Sequence, residues 1–160
     1  MSRSVHGDQA VLQASQYYGV QGAIDPLAEH IIREEGFNPG TYGDSKGIQT
    51  GGVGATGDMI GKNFFTEVMP VYYKRARDAT GPGFSQLSEG KQKAVLSAVY
   101  RGDMGPKTKE LIKARDWKGA AAEYLDHAEF RKGLKPNATQ TQKAVSERMA
   151  RNAQEFAKVD

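Results

Sequence analysis

Apolar residues in this chain recur at helical spacing over most of its length, broken once by a glycine-dense stretch of short alternating segments. A first short helix is predicted over 8–18, with Val11 and Leu12 apolar and Gly19 at its end. The signals for a second helix are stronger. Asp25 suits the N-cap, Pro26 the first turn and Gly36 the position after the last turn, which spans Pro26–Glu35. From 37 to 57 the texture changes, and segments such as Thr41-Tyr42 and Gly47-Ile48-Gln49-Thr50 suit short strands of a small antiparallel sheet. Helical patterning resumes over 63–78, 88–100, 107–114, 117–127 and 139–157, with Pro70 expected to kink or split the first of these. No internal repeat or low-complexity linker interrupts the chain, so the expected class is α+β, mainly α, with the sheet inserted into a helical domain.

Helix geometry singles out one carboxylate. With Leu27 at zero and a turn of about 100° per residue, Ile31 falls at about 40°, Ala28 at about 100° and Ile32 at about 140°. Glu35 falls at about 80°, in the middle of that apolar arc, whereas Glu29, His30 and Arg33 lie on the other side. A carboxylate on the buried side of a last helical turn loses hydration, which raises its pKa and suits it to give up a proton in catalysis. A frayed last turn with Glu34 and Glu35 both in water is the alternative.

Nine residues on, Asp44 sits in the turn Tyr42-Gly43-Asp44-Ser45-Lys46-Gly47, and alone it reads as a turn aspartate. Cleaving a glycosidic bond, however, needs an acid for the leaving oxygen and a second carboxylate for water or for the oxocarbenium-like transition state. A helix-end Glu facing a hairpin Asp supplies such a pair. Thr50, six residues beyond Asp44 in the next strand, carries a hydroxyl suited to hold a water beside it.

Composition narrows the field less than this spacing does. The 160 residues suit one compact domain or two small lobes, and the absence of cysteine excludes disulfides, thiol catalysis and thiolate metal sites. The net charge of +3 favours an anionic partner only weakly, because 22 basic residues are interspersed with 19 acidic ones and form no long run. No apolar run is long enough to span a bilayer, and the opening MSRSVHGDQA lacks the hydrophobic core of a signal peptide. Neither membrane insertion nor an export route of its own is therefore expected.

The run Glu35-Gly36, Tyr42, Asp44, Gly47, Thr50, Gly52 and Gly54 resembles the catalytic segment of the phage-type lysozymes, the glycoside hydrolases represented by T-even phage endolysin. Both spacings, Glu to Asp and Asp to Thr, match that family's pattern. The likeness continues to about residue 157: Leu87 to Tyr100 with Gly102 resembles the buried central helix and its turn, Asp116-Trp117 a later helix start, and Arg148, Arg151 and Phe156 a late helix.

The resemblance implies a lysozyme-like fold. Residues 1–24 would form an amino-terminal extension and 25–160 the domain, with a small sheet lobe at about 37–57, a helical lobe at about 63–157 and a cleft between them. It also implies hydrolysis of the β-1,4 bond between N-acetylmuramic acid and N-acetylglucosamine by an inverting route, without metal or cofactor. Glu35 would be the general acid, Asp44 would activate or position the water and Thr50 would orient it. Inversion requires the two carboxyl groups roughly 6.5–9.5 Å apart. Thr56, Tyr100 and Thr108 are placed as substrate contacts, and Arg148 as the arginine that holds the catalytic glutamate. With Val145 at zero, Arg148 falls at about −60°, bordering the face of Met149, Ala153 and Phe156.

The partner implied is bacterial peptidoglycan, met by a monomer. The protein would wait in the host cytoplasm for a separate pore or ride in the virion. Three departures stand out: Ala55 where the family's glycine strand usually ends in histidine, Tyr100-Arg101-Gly102-Asp103 where many members carry Asn, and a long segment before Glu35.

Other signals are weaker. Gly52-Val53-Gly54-Ala55-Thr56-Gly57 satisfies a dinucleotide fingerprint but follows no buried hydrophobic strand, and His6, His30 and His127 lack metal-ligand spacing. Phe64-Phe65, Tyr72-Tyr73 and Trp117 read as core aromatics before sugar platforms. The rival functions are a non-catalytic wall-binding module, a lytic transglycosylase of the same fold, and a basic helical nucleic-acid binder. No nucleic-acid partner is expected.

Overall fold

Pro26 starts helix α2 with a fixed φ and no orphaned N–H, and the Asp25 carboxylate accepts from Leu27 N at 3.0 Å. The helix spans Pro26–Glu35 and buries Ala28, Ile31 and Ile32. It ends at Gly36, whose φ of +76° suits glycine; a Cβ there would also lie 2.7 Å from the His6 ring and 2.9 Å from the Val5 carbonyl. The structure, a computed structural model, describes residues 4–43 and 48–159 and divides into two compact units, Met1–Tyr72 and Tyr73–Asp160.

In the first unit, helix α1 (Gly7–Tyr17) packs on α2 through Ala10 and Ala14, both fully buried. Val5 and Phe37 exchange two backbone hydrogen bonds, at 3.0 and 2.9 Å, and Asp8 pairs with Arg33 at 2.5 Å. Tyr17, Tyr18, Phe37 and Phe65 form an aromatic cluster with centroids 5.0–6.0 Å apart. Burial, followed by the charge of Tyr17, raises the Tyr18 pKa. The amino-terminal segment is thus part of this unit's core.

Three antiparallel strands follow in the order β1 (Asn38–Gly43), β2 (Gln49–Gly52) and β3 (Ala55–Thr56), with an irregularity between Asn38 and Thr41. The helix predicted from 63 begins as a π-helical turn, Phe64–Val68, and becomes α3 (Met69–Thr80). Pro70 explains the change, because it lacks the N–H an α-turn needs and its ring crowds the carbonyl four residues back. The Asn63 carbonyl accepts from both Glu67 N and Val68 N, at 2.9 and 3.1 Å.

The second unit is helical, with α4 (Glu89–Arg101), α5 (Pro106–Lys113), α6 (Trp117–Leu125), α7 (Ala128–Gly133) and α8 (Gln140–Ala157). The helix expected over 117–127 stops at Leu125. His127 caps α7, which the apolar pattern missed, by accepting from Glu129 N at 3.0 Å. Helices α4, α6 and α7 pack on α8, and α5 packs on α6. The class is α+β, mainly α, as expected. No described helix is long and apolar enough to cross a membrane.

A polar cluster sits inside the second unit. The Tyr124 hydroxyl donates to Asp103 at 2.8 Å and accepts from Asn152 Nδ2 at 3.2 Å; Asn152 also donates to Ser97 at 3.2 Å, and Arg148 pairs with the other Asp103 oxygen. The Asp103 and Arg148 side chains are 10% and 7% exposed, so each desolvated charge depends on the other. Replacing Asp103 with Asn is expected to cost about 3 kcal/mol of unfolding free energy, read by urea denaturation. Burial first and the Asp103 charge second hold the Tyr124 phenol well above its usual range. A raised folded pKa gives stability that is intact below the unfolded value of 10.0 and is lost as pH rises through the folded one. Tyr124→Phe should therefore flatten the alkaline fall in stability that sets in as pH rises past about 10.

Candidate functional site

Glu35 is the last residue of α2 and is partly buried. The helix's outer side neutralises itself: Arg33 donates to Glu29 at 2.8 Å as well as pairing with Asp8. The apolar side carries Glu35 toward the turn between β2 and β3. There Gly54, with φ of +64°, lies so close that an added Cβ would stand 3.2 Å from Glu35 Oε1 and 3.6 Å from Glu35 Cβ. Two features of Gly54 therefore disfavour a larger residue, its left-handed backbone and the carboxylate beside it.

Thr50 lies in β2, the central strand. Its backbone pairs with Tyr42 on one side and Thr56 on the other, and only 5% of it is exposed. Its hydroxyl donates to the Ile48 carbonyl at 3.0 Å, which commits the proton and leaves the oxygen lone pairs to accept from a further donor. Thr56, directly across from Thr50 and so on the same face of the sheet, is exposed. The pairing of Gly43 with Gln49 frames the hairpin whose next residue is Asp44. Asp44 itself lies outside the described residues.

The helix end and the sheet turn therefore bring Glu35 to the strand pair that carries Thr50 and Thr56, within one unit. The remaining sequence-predicted residues belong to the second unit. Tyr100 is partly buried in the last turn of α4, and Thr108 on α5 is 3% exposed. Arg148, 6% exposed on α8, has Asp103 as its ion-pair partner in that unit. Asp103 stands in the turn where the sequence departs from the lysozyme pattern. Its pairing was not legible beforehand, since nothing in a 45-residue separation predicts that contact. Gly54 was legible as part of a glycine run but not as the surface on which Glu35 rests.

The arrangement sets a carboxyl group at a helix end beside the turn of a sheet whose central strand carries the Thr50 hydroxyl. The chain matches no protein-family model and no curated protein. Ala55, at the position where the resemblance expects histidine, pairs with Gly51 and is partly buried.

Gly54→Ala is expected to lower the unfolding free energy by about 2 kcal/mol, from left-handed strain and crowding of Glu35 together. The same substitution at Gly105, which has no neighbour within 4 Å of an added Cβ, is the denaturation control and should cost less.

Proposed function

We propose that this chain hydrolyses the β-1,4 bond between N-acetylmuramic acid and N-acetylglucosamine in bacterial peptidoglycan, as the phage-type lysozymes that its sequence resembles do. The observation that carries the reading is Glu35, partly buried at the end of α2 and pressed on the Gly54 turn of a sheet whose central strand holds Thr50. The arc of Ile31, Ile32 and Ala28, all buried, orients Glu35 by helix geometry alone, which owes nothing to the resemblance.

In the proposed reaction the Glu35 carboxyl group protonates the glycosidic oxygen as the bond to C1 breaks. A water attacks C1 from the opposite face and gives its proton to Asp44, so that the product has inverted configuration. Thr50, with its own proton on the Ile48 carbonyl, accepts the water's second hydrogen and leaves a lone pair aimed at carbon. Asp44 enters on the sequence spacing. The products are a reducing muramic end and a free 4-hydroxyl; a transglycosylase would leave an anhydro-muramic end.

Digestion of purified peptidoglycan with mass analysis of the fragments tests this reading. Reducing ends should accumulate with the wild type, and Glu35→Gln should lower the rate by about 10²–10⁴-fold. Thr50→Val should cost about 10²-fold in kcat with KM little changed, and Thr50→Ser should restore most of it. Anhydro ends, or equal rates for wild type and Glu35→Gln, would overturn the assignment.

A further inference from the structure

Charge is divided unequally between the two units. Tyr73–Asp160 carries 18 Lys and Arg against 11 Asp and Glu, a net +7, whereas Met1–Tyr72 carries 4 against 8, a net −4. In the second unit, three adjoining recesses gather part of that surplus. The first, of about 450 Å³, has Ala79, Ala98, Val99 and Met104 in its lining together with Lys109 and Lys113. Lys113 and Asp78 also line the second, of about 550 Å³, with Arg77 around the 81–85 turn. Arg115 donates to the Pro82 carbonyl of that turn at 2.9 Å and lines the third, of about 360 Å³, with Lys118.

The recesses thus join into a track bearing Arg77, Lys109, Lys113, Arg115 and Lys118. The carboxylates along it are already engaged: Asp78 binds Lys74 at 3.0 Å, and Asp116 caps α6 by accepting from Gly119 N at 3.0 Å. Among the described residues no carboxylate stands within ion-pair distance of Arg77, Lys109, Lys113 or Lys118. Lys109 and Lys113 are one helical turn apart on α5, so they repel each other and favour an anion between them. Arg115 makes the bend firm. Its backbone has φ of +61°, and its guanidinium holds the carbonyls of Thr80, Ile112 and Pro82.

We propose that this track binds a flexible phosphate-bearing polymer of the polyol-phosphate type. The inference is independent of the glycosidase reading. Single-stranded nucleic acid would need aromatic platforms for its bases. Phe84 is 5% exposed, and Trp117, partly exposed in the lining of the third recess, packs against Phe156 at 6.0 Å with the Lys91 ammonium 5.2 Å from its ring, so a run of bases would meet one platform and not a series. A duplex is rigid and convex, whereas a backbone-charged chain without bases can bend into successive recesses.

Calorimetric titration of the full chain with glycerol-phosphate polymer, in parallel with duplex DNA at equal phosphate, tests the proposal. The polymer should bind more tightly than the duplex. Lys109→Gln with Lys113→Gln should weaken polymer binding about tenfold and reduce the salt slope by about 0.7 per charge removed. Lys135→Gln with Lys143→Gln removes the same charge from exposed positions elsewhere and should leave affinity within about twofold. Equal losses from both pairs, tighter binding of the duplex, or no binding of the polymer would each overturn it. Since Glu35 takes no part, Glu35→Gln should bind the polymer as the wild type does, whatever its effect on cleavage.

Discussion

At Gly54 a hydrogen stands where any other residue carries carbon, and the placement of Glu35 against the β2–β3 turn depends on it. The β2–β3 turn can close with a left-handed backbone there, and the last turn of α2 can bring the Glu35 carboxylate to within 3.2 Å of where a Cβ would stand. A residue with a side chain would strain the turn and displace the carboxylate together. Helix α2 is itself held from behind, since α1 packs on it and the Val5–Phe37 bridge ties down the chain just after Glu35. Local conformational permission at one glycine thereby becomes placement of an acid at the edge of a sheet.

The second unit depends on a different economy of polar groups. Asp103, Arg148, Tyr124, Asn152 and Ser97 form a connected hydrogen-bonded cluster among apolar helices. Ion pairs of this kind offset their desolvation only when their geometry is good and their remaining polar atoms are satisfied. Here the cluster links α4's following turn, α6 and α8, the helices that carry Ala98, Ala121 and Met149 in the core. Lys91 follows the same logic, buried over Trp117 with its ammonium on the Lys158 carbonyl.

Electrostatics separate the units in character. The first carries a net negative charge around a small sheet, and the second a net positive charge on helices whose acids are partly consumed in caps and local pairs. A chain-wide charge of +3 hides both. Surface attraction of this kind acts over roughly 8–10 Å at ordinary ionic strength, so it depends on which cations share a face and not on the total.

Much of this was legible in the order of residues. Asp25-Pro26 and Gly36 bound α2 because capping and backbone freedom are local properties, and the arc of Leu27, Ile31 and Ile32 placed Glu35 on the inner side because a helix has one period. The sheet between two helical stretches was equally local, read from glycines and alternation. The π-helical start of α3 and the short α7 were not, since each depends on which carbonyl finds a donor after Pro70 or His127 has changed the supply. Contacts across long separations were beyond reach: Asp103 on Arg148, Gly54 under Glu35, and the cations of α3 and α5 around shared recesses. Sequence by itself determined the bounds of α2, the place of the small sheet and the inward side that carries Glu35, because those follow from short-range sterics and periodicity. Only the tertiary structure decided which buried charge meets which, because that choice depends on desolvation, and desolvation exists only once the chain has packed.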